Sequence, residues 1–133
     1  MIVVDTNVIV YRFVAGPHTP LATALAARDP DWRAPRLWRS EFMSVLHAEI
    51  RRHKITLAQA HAAWQMAQIR MPDIDVEIDH AKALELAVDR GCTTYDCEFV
   101  AAAQQLGVHL VTADGHVLAR FPDVARSLAA VTG

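Results

Sequence analysis

Apolar and polar positions are arranged along this chain in blocks that predict strands separated by helices. Short apolar or β-branched runs predict buried strands at 2–4 and 108–112, and a short extended piece is expected at 32–34. Apolar and acidic residues alternate over 73–78, which predicts a half-buried strand with a solvated acidic face. Helical periodicity is expected over 7–13, 20–28, 37–53, 57–71, 80–90 and 95–106. The expected N-caps are Thr6 or Asn7, Thr19, Thr56, Asp79 and Thr94.

The alternation of strands and helices indicates an α/β fold. Strands joined through helices form right-handed crossovers, so we expect a mostly parallel central sheet with helices on both faces. The segment after Pro122 is expected to add a helical turn and a weak strand. No linker, repeat or low-complexity segment divides residues 1–133, so the sequence predicts one domain.

Composition excludes several classes of protein. With 53% apolar and 21% charged residues the chain can bury a core, and its net charge of −2 argues against a basic nucleic-acid grip over the whole surface. The longest apolar run has five residues (99–103), too short for a membrane span, and the start does not resemble a secretion signal. Cys92 and Cys97 form neither a disulfide framework nor a zinc pattern. We therefore expect a cytoplasmic protein.

Four acidic residues occupy positions where a charge is costly. Asp5 follows the first strand and Asp114 follows the last clear strand. Glu41 falls on the apolar stripe of its helix, and Asp96 lies in the first turn of another. In open α/β sheets such positions meet at one crevice, and a site built only of carboxylate oxygens suits Mg²⁺ or Mn²⁺.

Each acid alone also has an ordinary structural explanation. Asp5 can be a helix cap, Asp96 a partner of a helix dipole, and Glu41 half of a buried ion pair with an arginine such as Arg12. The occurrence of all four at the ends of elements favours the metal site.

The segments that carry these acids resemble the PIN-domain nucleases, and among them the VapC toxins of toxin–antitoxin pairs. The similar segments are, in chain order, Val3-Val4-Asp5-Thr6-Asn7, Arg39-Ser40-Glu41-Phe42, Thr94-Tyr95-Asp96-Cys97 and Leu110-Val111-Thr112-Ala113-Asp114. The resemblance covers nearly the whole chain. Cys97 replaces a commoner small residue, and Gly115-His116 stand where the family often has a basic residue.

The resemblance implies a function and a site. Asp5, Glu41, Asp96 and Asp114 would hold Mg²⁺, with Mn²⁺ as a possible substitute, and the protein would be an endoribonuclease. Metal-activated water would hydrolyse an RNA phosphodiester and leave a 5′-phosphate and a 3′-hydroxyl. Thr112 would orient one of the carboxylates, and Asn7 is a weaker candidate for the same role. The family also implies the toxin role in a type II pair, a cognate VapB-type antitoxin and a homodimer.

Charge and aromatic residues suggest where RNA could bind. Residues 28–54 carry an excess of three positive charges, and Arg39, two residues from Glu41, is the best candidate for a phosphate contact. A solvated helix face explains the same charges. Trp38 and Trp64 are expected mainly to pack between helices, and the apolar third and fourth helices could supply a surface for self-association or for an antitoxin.

Other functions compete with this one. An aspartyl phosphatase requires Asp-x-Asp, and this chain has Asp5-Thr6-Asn7. A non-enzymatic Mg²⁺-binding receiver domain requires a lysine near a late strand, and both lysines, Lys54 and Lys82, fall in predicted helical regions. A degenerate PIN domain that only binds RNA or protein is the third alternative, and the four intact acids argue against it.

Overall fold

The computed structural model describes residues 1–132, which form five strands and eight helices. The strands are Ile2–Val4 (β1), Trp32–Pro35 (β2), Asp75–Val76 (β3), Leu110–Thr112 (β4) and Ala125–Ser127 (β5). The helices are Thr6–Phe13 (α1), Thr19–Arg28 (α2), Leu37–Arg51 (α3), Leu57–Arg70 (α4), His80–Arg90 (α5), Thr94–Leu106 (α6), Gly115–Arg120 (α7) and Leu128–Thr132 (α8). None of these helices is long and apolar enough to cross a membrane.

The five strands form one parallel sheet in the order β3-β2-β1-β4-β5, which confirms the predicted α/β fold. β1 lies at the centre, where Val3 pairs with Arg33 of β2 on one side and with Leu110 of β4 on the other. Helices α5 and α6 pack together, and α6 contacts β1, β2 and β4. Helix α1 contacts β4 and packs against α2, α3 and α4. The sheet is thereby covered by helices and its central strands are buried.

Several helix starts differ from the predicted ones by one residue. Asp5, not Thr6 or Asn7, caps α1, because its carboxylate accepts a hydrogen bond from Thr6 N–H. Thr93, not Thr94, caps α6. Thr19 begins α2, and its hydroxyl donates to the carbonyl of Tyr11 instead of capping. Which residue precedes a helix depends on local dihedral angles that the sequence pattern does not specify.

The strand over 73–78 is shorter than predicted, although its acidic face is exposed at Asp73 and Glu77 as expected. Only Asp75–Val76 pair with β2, and Asp75 is not simply solvated. Asp75 Oδ1 accepts a hydrogen bond from Trp38 Nε1 at 2.9 Å, and its Oδ2 forms an ion pair with Arg39 Nη2 at 2.9 Å. Burial opposes ionisation of Asp75, but the hydrogen bonds from Arg39 and Trp38 outweigh it and lower the pKa of this carboxyl group. The alternating pattern therefore did not indicate that Asp75 is hydrogen-bonded by residues from another part of the chain.

The aromatic prediction is confirmed for Trp38 and Trp64. Trp38 is fully buried, and its ring lies 5.6 Å from that of Trp64 and 5.8 Å from that of Phe42, measured between centroids. This cluster fixes α3 against α4 and thereby fixes the helix that carries Glu41.

Candidate active site

Asp5 is placed by the main chain at the end of the central strand. Its N–H donates to the carbonyl of Val111 in β4 at 2.9 Å, which continues the parallel pairing one residue beyond β1. Its Oδ1 accepts from Thr6 N–H at 2.8 Å, and its Oδ2 accepts from the Thr112 hydroxyl at 2.7 Å. Both oxygens of the Asp5 carboxylate therefore accept a hydrogen bond at the point where β1 ends and α1 begins.

Thr112 connects the ends of β1 and β4. It is fully buried, and besides donating to Asp5 its hydroxyl oxygen accepts from Asp114 N–H at 3.0 Å. Asn7 Nδ2 lies 3.5 Å from the same oxygen, and Asn7 Oδ1 accepts from Ala113 N–H at 3.3 Å. Thr112 and Asn7 thus occupy positions from which they orient Asp5 and the segment that leads to Asp114.

Asp114 and Asp96 are each positioned by the start of a helix. Asp114 caps α7, since its Oδ1 accepts from His116 N–H at 2.8 Å and from Val117 N–H at 3.3 Å. Asp96 lies in the first turn of α6, where its N–H donates to Thr93 Oγ1 at 3.0 Å. Free backbone N–H groups and the helix dipole favour a negative charge at both places.

Glu41 faces the other acids from α3. Its Oε1 accepts from the Thr6 hydroxyl at 2.7 Å, a contact that joins α3 to the start of α1. The suggested ion pair with Arg12 is wrong, because no carboxylate among residues 1–132 lies within ion-pair distance of that guanidinium.

The pKa shifts of three of the predicted acids connect the four in pairs. Burial raises the pKa of Asp5 to about 6, against the hydrogen bonds from Thr112 and Thr6, and the charges of Glu41 and Asp96 raise it further. Burial also raises the pKa of Glu41, where Asp96 adds to the effect. Burial and then the charge of Asp114 raise the pKa of Asp96. Each acid therefore interacts with at least one other.

The donor set fits a hard divalent cation, although the side chains do not enclose one. Carboxylate and hydroxyl oxygens are the groups that Mg²⁺ prefers. Within residues 1–132 no three His, Cys, Asp or Glu side chains are arranged to hold one ion. Like charges keep apart unless a cation lies between them, so these carboxylates would have to rotate toward a shared ion.

Two polar residues beside the site were missed by the sequence analysis. Thr6 was considered only as a cap, yet its hydroxyl is buried and holds Glu41. Glu98 is a fifth acid near the site, because its charge raises the pKa of Glu41. Glu98 Oε1 also lies 3.9 Å from His80 Nε2. Glu98 follows Asp96 by two residues, so its place in the same motif was the available signal.

Arg39 is two residues from Glu41 in sequence, and its side chain contacts an acid and two aromatic rings. Its guanidinium pairs with Asp75 and lies over the rings of Trp38 and Trp64, at 5.3 and 5.8 Å from their centroids. Its side chain remains 37% exposed, so it can still meet a ligand. Contact with RNA stays a prediction.

Comparison with known proteins is informative at the level of family and fold. Residues 2–125 match the family model described as PIN domain. A search of curated proteins returned no match. The structure is similar to the crystal structure of PAE2754 from Pyrobaculum aerophilum, with a TM-score of 0.77 and 20% sequence identity over 98% of this chain and 92% of that chain.

PIN domains are typically nucleases and generally use divalent metal ions. The oxygen-only cluster at the carboxyl ends of β1 and β4 agrees with that chemistry. Because the family model covers residues 2–125 of the 133, the chain belongs to the PIN-domain family.

Proposed function

We propose that this protein is a Mg²⁺-dependent endoribonuclease and the toxin component of a type II toxin–antitoxin pair. The observation that supports the proposal is the link that Thr112 makes between the Asp5 carboxylate and the main chain of Asp114, at an edge where Asp5, Glu41 and Asp96 each also feel the charge of another of the four predicted acids. A protein with only a structural role has no need to bury repelling carboxylates together.

The chain's own residues prepare the site for phosphodiester hydrolysis. Asp5, Glu41, Asp96 and Asp114 would hold the ion, which supplies a water of lowered pKa and offsets negative charge on the scissile phosphate. Thr112 donates to one oxygen of Asp5 and Thr6 donates to one oxygen of Glu41, so these hydrogen bonds limit how the two carboxylates can turn toward an ion.

The proposed partners are RNA, a VapB-type antitoxin and a second copy of the chain. Arg39 is the proposed phosphate contact, and the basic excess over 28–54 supports RNA binding near it. Helices α3 and α4 expose apolar side chains that suit the protein partners, namely Met43, Leu57, Met66 and Ile69. The proposed location is the cytoplasm, because a cellular RNA substrate is met there.

The receiver-domain alternative has no support in the described residues. Lys54 lies between α3 and α4, and Lys82 lies in the first turn of α5. Neither follows β4, where a receiver would need it. The degenerate PIN alternative predicts no cleavage and is separated by the activity measurements below.

Purified protein should cleave a suitable RNA in Mg²⁺ or Mn²⁺ and stop when a chelator is added. Asp5→Asn should lower the rate by about a hundredfold or more, because it removes a charge from the centre of the acid cluster. Glu85→Gln is the matched control, since Glu85 is 72% exposed on α5. Cleavage that persists in chelator, or an Asp5→Asn rate within about tenfold of the parent, would contradict the mechanism.

Magnesium should stabilise the parent protein by about 2.7 kcal/mol at a hundred times its dissociation constant. Asp96→Asn should gain less from Mg²⁺, and it should unfold at a higher temperature without metal, because burial and Asp114 disfavour the Asp96 charge. Thermal unfolding with and without Mg²⁺ measures both effects. An equal response in Glu85→Gln and Asp96→Asn would mean that the ion only screens general acidity.

Metal-free stability should fall as the pH rises from about 4 to about 6. The folded chain binds the Asp5 proton more tightly than the unfolded chain, with a pKa of about 6 against 3.8, so deprotonation in this window favours unfolding. In Asp5→Asn the loss of unfolding free energy across this pH window should be smaller by roughly 1–3 kcal/mol. Urea unfolding in chelator across the window tests it, and parallel profiles for parent and variant would show that Asp5 is not the group that titrates.

Arg39→Ala should weaken RNA binding and reduce the slope of log affinity against log salt by about one, while Mg²⁺ affinity stays unchanged. Asp75→Asn is the informative comparison, because it removes the acid that pairs with Arg39 and leaves the guanidinium in place. Its RNA affinity should hold or rise. If neither variant changes the salt slope, Arg39 serves only to pack α3 against β3.

A further inference from the structure

A second charged cleft lies at the opposite edge of the sheet from the acids. Helix α1 starts at the carboxyl end of β1 and runs back along the sheet, so Arg12 in its last turn lies toward the amino ends of the strands. Trp32 opens β2, and Ile2 of β1 pairs with it. Arg70 is the last residue of α4. Arg12 and Arg70 line a cleft here that is separate from the candidate active site, and Trp32 packs against the Arg12 guanidinium beside it.

Two buried donors beside the cleft have no acceptor. Arg12 Nη1 and Trp32 Nε1 are both buried, and neither has a hydrogen-bond partner among residues 1–132. Trp32 is only 3% exposed. Buried N–H groups are nearly always paired in folded proteins, so the Arg12 guanidinium retains unmet hydrogen-bonding capacity next to the cleft that it lines.

Two positive charges face this region without a carboxylate to balance them. Arg70 is close enough to Arg12 that its charge, together with burial, lowers the pKa of the Arg12 guanidinium. Neither arginine takes part in an ion pair within the described residues. Asp31 and Asp73 line a neighbouring cleft with Arg70, but Asp31 is paired with Arg33 at 2.7 Å and Asp73 is exposed.

The stacking of Arg12 leaves its donors free. The guanidinium carbon lies 4.7 Å from the centroid of the Trp32 ring and 5.0 Å from that of Phe13. A stacked guanidinium uses its face and keeps the N–H groups on its edge for an oxyanion. Arg12 and Arg70 line one cleft of about 510 Å³ with Thr23, Ala26 and Met66, which is large enough for a phosphate group and part of what it is attached to.

We propose that this cleft binds a phosphate dianion, held by Arg12 and Arg70. The choice of a dianion follows from the charge, because one carboxylate would neutralise only one of two guanidinium groups. The phosphate is either free or the terminal phosphate of a nucleotide, and the same two arginines serve in both cases. This proposal is independent of the proposed nuclease activity.

Thermal unfolding in chelator tests the proposal without interference from the acid cluster. At about pH 7.5 phosphate is mostly dianionic, and sodium phosphate should raise the unfolding temperature in a saturating manner over sodium chloride of equal ionic strength. Arg12→Gln and Arg70→Gln should each weaken phosphate binding by about tenfold or more. Arg52→Gln is the control, since Arg52 is exposed and paired with Glu49, and it should respond like the parent.

Further arms identify the source of the phosphate. If adenosine monophosphate binds at least as tightly as inorganic phosphate and adenosine does not bind, the ligand is a nucleotide. If inorganic phosphate binds more tightly than adenosine monophosphate, the ligand is free phosphate. Equal responses in the parent and both arginine variants overturn the proposal, and so does stabilisation by acetate in place of phosphate. If Arg12→Gln fails to fold, Arg70→Gln decides the outcome, because Arg70 is exposed at the end of its helix.

Discussion

The parallel pairing of β1 at the centre of the sheet is the constraint on which the site depends. β1 has a strand on each side, and the hydrogen bond from Asp5 N–H to Val111 extends its pairing to the point where α1 begins. The main chain therefore fixes Asp5 before any side chain is considered. Thr112, at the end of the neighbouring strand, then reaches the Asp5 carboxylate because parallel strands end at the same edge. The cost of this placement is visible in the raised pKa of Asp5.

The sequence predicted well those features that depend on local pattern. The β-branched run before Asp5, the strand before Asp114 and the helix breaks at Gly91 and Gly107 all lie where expected, and both glycines adopt the left-handed conformation that ends a helix. From these elements the parallel sheet follows, and with it the grouping of acids at one edge. Contacts between distant segments were not predictable in the same way.

Asp75 and Thr6 show why such contacts escape the sequence. Asp75 alternates with apolar neighbours as a solvated strand residue would, but Trp38 and Arg39, more than thirty residues earlier, supply its hydrogen bonds. Thr6 looks like a cap, and only the folded chain shows that its hydroxyl reaches Glu41 on α3. Periodicity indicates which face of an element is buried. It does not indicate which polar group from a distant segment will contact that face.

Helix α1 links the two charged edges of the molecule through its own dipole. The negative carboxylate of Asp5 caps its N-terminus, and the positive guanidinium of Arg12 lies in its last turn. Both charges have the sign that the helix dipole favours at that end. A helix of eight residues thereby offsets part of the cost of burying an acid at one edge and a base at the other. The acid has like-charged neighbours and the base has a second arginine, so the dipole alone satisfies neither of them. Each edge is consequently complementary to a ligand of opposite charge: a cation where Asp5 lies, an anion where Arg12 lies.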